Sequence, residues 1–147
     1  MNTEQRQEAI FGAFDGVVSV TGFIFGLLIH HSPESAIAIG GVGGAVAAGI
    51  SMGAGELEKG DNWVRRIPVG IIMFLASLFG ALVAVWPFFV FSTFVSLWIA
   101  GTGCLLVATW IGYEKRKGRS GYLAAYLTLI AAAGLTLGIV SLIPQAG

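Results

Sequence analysis

The chain has 147 residues, 56% of them hydrophobic and 11% charged, with eight basic and eight acidic side chains and a mean hydropathy of +0.84. A soluble domain carries about 25% charged residues, so the composition excludes one, and a zero net charge gives nucleic acid nothing to bind. The single cysteine, Cys104, excludes a disulfide framework or a cysteine-based metal site within one chain.

The length is that of one domain. Residues 1–8, MNTEQRQE, are polar and cap or precede the first apolar stretch. There is no basic leader region and no small-residue cleavage site, so no signal peptide is expected. A first helix is predicted over about 9–29, near the ~20 residues that cross ~30 Å of hydrocarbon. It holds one charge, Asp15, and the small pairs Gly12/Gly16 and Gly22/Gly26.

His30 to Glu34 form a short turn, with Pro33 and Ser35 suited to a helix start. The second helix is predicted over 36–56. Thirteen of the twenty residues from Ala36 to Gly55 are Gly or Ala. In water that is a poor helix, each Gly costing about 0.8–1 kcal/mol against Ala. In a bilayer the backbone must satisfy itself, so the helix forms. Gly40/Gly44 and Gly49/Gly53 let another helix approach closely. Gly44, Ala48, Met52 and Glu56 share one face at i, i+4 spacing.

The charged loop LEKGDNWVRR, residues 57–66, follows. From Ile67 to Tyr113 no residue is charged. As one helix that run would be about 70 Å long, enough for two crossings. Trp86-Pro87 is the expected break, giving helices over about 67–86 and 91–113. The loop EKRKGRS separates these from a fifth helix over about 121–143, and a short tail leaves the membrane.

The reading is an all-α integral membrane protein with five transmembrane helices in a single membrane domain. All eight basic residues fall in the N-terminus, the second loop or the fourth loop. Those three segments share one side of a five-span chain. By the positive-inside rule the N-terminus is cytosolic and the C-terminus is outside or in an organelle lumen.

Asp15 is the only charge deep within a predicted span. A carboxylate there costs at least about 2.5–3.5 kcal/mol on insertion scales, and such groups usually mark an ion path. The alternative is a carboxylate that caps a helix or bonds a neighbouring one. Met52, on the returning helix, reaches a similar depth. Oxygen with thioether sulfur suits a borderline transition metal better than Mg²⁺ or Ca²⁺. One Asp and one Met cannot enclose an ion, but two copies about a two-fold axis offer two of each. Glu56, one turn below Met52, either collects cations at the cytosolic mouth or is a solvated helix end. Glu8 at the other mouth and Ser19, four residues above Asp15, are possible pathway-lining residues. Gly12, Gly16, Gly22, Gly26, Gly40, Gly44, Gly49 and Gly53 are candidates for helix packing or a dimer surface.

The segment FGAFDGVVSVTGFIFGL resembles the "DG" first helix of the vacuolar iron transporter family. AAGISMGAGELEKG is similar to that family's glycine-rich second helix with its S-M-x-x-G-E ending, and LFGALVAVWPFFV to its third helix with a proline-aromatic break. The resemblance implies a homodimer with the ion path between subunits, lined by the first two helices. It implies export of Fe²⁺, and often Mn²⁺ or other divalent ions, from the cytosol in exchange for protons. It maps the family's aspartate onto Asp15, its methionine onto Met52 and its glutamate onto Glu56. One departure is large: well-described members carry a long helical cytosolic insertion between helices 2 and 3, where this chain has only LEKGDNWVRRIP.

The function expected is therefore a minimal divalent-metal exporter, working by proton antiport. Its partners are the lipid bilayer and a second copy of itself, with metal ion and proton as substrates and no permanently bound cofactor. The membrane is the inner membrane in a prokaryote, or a vacuolar or other organelle membrane in a eukaryote. The rivals are a passive cation channel and a non-transporting scaffold or subunit. An enzyme is not expected, because no nucleophile–base pair is visible.

Overall fold

The backbone hydrogen bonds of this chain are almost all local, as a hydrocarbon solvent demands. The computed structural model describes residues 3–59, 62–114 and 119–143. Among them are five α-helices: α1 Thr3–Ile29, α2 Glu34–Glu58, α3 Trp63–Val85, α4 Thr93–Glu114 and α5 Arg119–Val140. All five are long and apolar enough to cross a membrane. Asp61, Lys115, Arg116, Lys117 and the tail from residue 144 lie outside the described residues.

Each connection has a local cause. At the end of α1, His31 holds a positive φ of 51°. Its N–H donates to the Leu28 carbonyl at 3.0 Å, and Ser32 N–H to the Leu27 carbonyl at 3.2 Å. That paired closure is a Schellman turn. Pro33 then stands at the N-cap of α2. Asn62 caps α3, its side-chain oxygen accepting from Arg65 N–H at 3.4 Å. Trp86–Phe89 form a 3₁₀ turn whose Pro87 carbonyl accepts from Val90 and Phe91.

The helices differ from the sequence reading mainly at their ends. α1 begins at Thr3 rather than near residue 9, because its polar first turns are held by ion pairs. Arg6 meets Glu114 at 2.5 Å and Glu8 lies 3.6 Å from Lys59. α3 starts at Trp63, where its Asn62 cap sits, rather than near residue 67. α5 ends at Val140, and the residues after it close into turns.

α3 packs against both α1 and α2, while α5 packs on α1 and α4. Small side chains set the spacing. A Cβ at Gly16 would stand 2.0 Å from the Ser77 carbonyl oxygen, and one at Gly80 2.1 Å from that of Ala13. A Cβ at Gly12 would stand 2.8 Å from the Met73 carbonyl oxygen. α2 meets α3 through Gly49, against Phe74, and Gly53, against Gly70. The core between these helices is Val17, Val20, Ile37, Ala45, Ala81, Ala84 and Val85. Four glycines considered for a dimer surface, Gly12, Gly16, Gly49 and Gly53, thus seat α1 and α2 on α3 of the same chain. Gly22 and Gly26 face α5, Gly40 faces Phe23, and Gly44 has no neighbour within 4 Å.

Candidate ion pathway

α1 turns its Gly12–Ala13–Gly16–Val17 side to α3, which leaves Asp15 on a different side of the helix. Asp15 is half-buried, with the side chain of Ser19 beside it. Ser19 and Phe11 are exposed, as is Phe23 at 36%. Phe11, Asp15, Ser19 and Phe23 therefore form an outward-facing stripe at i, i+4 spacing.

Beside it, α2 presents Gly43, Ala47, Ser51, Ala54 and Gly55 as exposed positions, with Gly44, Ala48 and Met52 half-buried. The two helices thus offer a surface of small side chains containing one carboxylate, two hydroxyls and one thioether. Among the described residues no group of three or more His, Cys, Asp or Glu is placed to hold a metal ion.

Glu56 stands differently from the sequence expectation of a mouth carboxylate open to solvent or cations. Its side chain is fully enclosed, at 0% exposure. Lys59 Nζ lies 2.6 Å from Oε2, and Arg66 Nη1 donates to Oε1. Both oxygens are occupied by cations of the same chain. A buried carboxylate needs such partners, since an unpaired one would change protonation state instead. Lys59 also reaches Glu8, so one ammonium ties α1 to α2. The Glu56 carboxylate paired with Lys59 raises that ammonium's pKa above its ordinary 10.5, so it stays charged at neutral pH.

Three relationships were not found from sequence. Arg66 is ten residues from Glu56, across a hairpin, and no helical spacing links them. Glu34 accepts from Thr93 N–H at 3.2 Å and from Thr93 Oγ1 at 2.7 Å, closing the end opposite the charged one. Thr136 of α5 lines a groove beside Ser19. None of the three has a local signal, whereas the Lys59–Glu56 contact of the same ion-pair group does, in its i, i+3 spacing.

The arrangement places the ion pairs at one end, the half-buried Asp15 carboxylate within the span, and a smooth helix beside it. No curated protein matches the chain, and no solved structure does. A model described as the VIT family matches residues 6–59, which run from the second turn of α1 to the C-cap of α2. The match suggests a metal ion transporter. With its five apolar helices the chain is an integral membrane protein. Over residues 6–59, the helix pair that carries Asp15, Met52 and Glu56, the chain is similar to the VIT family.

Proposed function

We propose that the protein exports divalent transition-metal ions, Fe²⁺ among them and Mn²⁺ as a second substrate, from the cytosol in exchange for protons. It works as a two-fold dimer with its charged end in the cytosol. The observation that carries the reading is the placement of Asp15. It is a membrane carboxylate next to Ser19 on an open stripe of α1, beside the Gly/Ala face of α2.

A second copy laid against that face supplies a second Asp15 and a second Met52. Four donors, two oxygen and two sulfur, then suit a borderline metal. Asp15 carries metal or proton in turn, because protonation removes the charge that holds the metal. Glu56 serves a different end: with Lys59 and Arg66 on its oxygens, it fixes the cytosolic end of α2 and leaves metal binding to Asp15 and Met52. Gly44, with no neighbour within 4 Å, belongs to the surface where the copies meet.

The test is Fe²⁺ flux into sealed liposomes carrying a pH-sensitive dye, with Asp15→Asn and Met52→Ala alongside. Metal flux with opposed proton movement is expected, lost in Asp15→Asn and reduced in Met52→Ala. Flux without proton movement makes the protein a passive channel. No flux of Fe²⁺, Mn²⁺, Co²⁺ or Zn²⁺ by folded protein overturns transport. Oxidative cross-linking of Gly44→Cys tests the dimer surface, and a covalent dimer is expected.

A further inference from the structure

Above Ser19 the two sides of α1 differ. On the α2 side, the Phe23 ring fills the crevice. Its Cζ stands 2.7 Å from where a Cβ on Gly40 would lie, and Leu27 Cδ1 stands 3.8 Å from the same point. On the α5 side, Gly22 and Gly26 let Thr136 pack directly against α1. A Cβ at Gly22 would stand 2.9 Å from Thr136 Oγ1, and one at Gly26 3.5 Å from Thr136 Cγ2. Beside that contact lies a groove of about 390 Å³ lined by Ser19, Gly22, Phe23, Gly26, Thr136 and Val140, the last residue of α5.

We infer that the far half of the ion path, from Ser19 to the membrane end where α1 and α5 stop, runs along this α1–α5 groove, with Thr136 as its second hydroxyl. The inference rests on the transport reading of Asp15 and extends it. An ion leaving Asp15 and Ser19 meets an aromatic ring packed on glycine on the α2 side. On the α5 side it meets open volume and an oxygen donor. A cation crossing hydrocarbon needs oxygen ligands or water in place of its hydration shell. The hydroxyls of Ser19 and Thr136, both lining the groove, supply them, and the open volume of the groove leaves room for water. The competing occupant is a lipid tail, since most of the lining is apolar.

Cysteine accessibility separates water from lipid. Full-length protein with Cys104→Ser is reconstituted with either Thr136→Cys or Leu135→Cys. Leu135 is the neighbouring α5 residue, 66% exposed and off the groove. A charged, membrane-impermeant methanethiosulfonate reagent reacts with thiolate in water. Labelling at 136 is expected at least about tenfold faster than at 135, because thiolate formation needs an aqueous setting. Labelling at 136 is also expected to cut metal flux, and Thr136→Val to lower flux severalfold. Equally slow labelling at both positions, in a protein that carries metal, overturns the groove path alone. Unchanged flux in Thr136→Val does the same. Absence of metal flux in the parent protein overturns the transport reading, and this path with it.

Discussion

Gly16 of α1 and Ser77 of α3 mark the tightest crossing in the bundle, where a Cβ on Gly16 would lie 2.0 Å from the Ser77 carbonyl oxygen. Without a hydrophobic drive between helices in lipid, close van der Waals approach is what joins them. Gly16→Ala is expected to cost more than the roughly 1–3 kcal/mol of ordinary overpacking, because the obstacle is backbone and cannot rotate away. Gly44→Ala, with nothing within 4 Å, is expected to leave the melting temperature of detergent-solubilised protein unchanged or slightly raised. Equal effects from the two substitutions would contradict this packing.

The same crossing holds a buried hydroxyl. Ser77 Oγ has no hydrogen-bond partner among the described residues and the side chain is fully enclosed. Leaving a polar group unsatisfied costs about 1–3 kcal/mol. Ser77→Ala is therefore expected to raise stability by up to about that amount. A loss of stability in a thermal melt would show that the hydroxyl is bonded.

Glu56 and Arg66 couple α2 to α3. Arg66→Met strands a buried carboxylate that keeps only Lys59. The loss is expected to be smaller than the roughly 3–5 kcal/mol of breaking a fully buried pair, since one cation remains. Glu56→Gln combined with Arg66→Met should recover part of it, which a double-mutant cycle measures. Strictly additive losses would mean that the pair carries no coupling.

Lys59 gives a pH dependence of defined sign. Its pKa is raised in the folded protein by its contact with Glu56. A raised cationic group contributes stability that is fully present below its ordinary 10.5 and is lost as pH climbs through the higher folded value. The melting-temperature gap between the wild-type protein and Lys59→Met should stay constant through neutral pH and close as pH climbs through the alkaline range. A gap that stayed open throughout the alkaline range would contradict this contact.

Five apolar stretches, the isolation of Asp15 and the smoothness of α2 were legible in the order of residues. Each depends on the chain's nearest neighbours. A helix in lipid satisfies its own backbone, so hydropathy and length are enough to predict it. Asp15 stands out because no other charge lies deep within a predicted span. The 3₁₀ turn at Trp86–Phe89 was foreshadowed by Pro87, and the start of α2 by Pro33.

What each of those surfaces touches was decided only by the tertiary structure. Small-residue pairs announce that a helix will come close, but not which one. Gly12, Gly16, Gly49 and Gly53 meet α3 of their own chain, and Gly44 meets open space. Glu56 read as a carboxylate at a mouth, yet the α2–α3 hairpin encloses it and brings Arg66 onto it. Glu34 finds Thr93 fifty-nine residues away. Between lipid-bathed helices, partners are chosen by shape and by the few polar contacts that shape permits, and neither quantity has a period that a sequence displays.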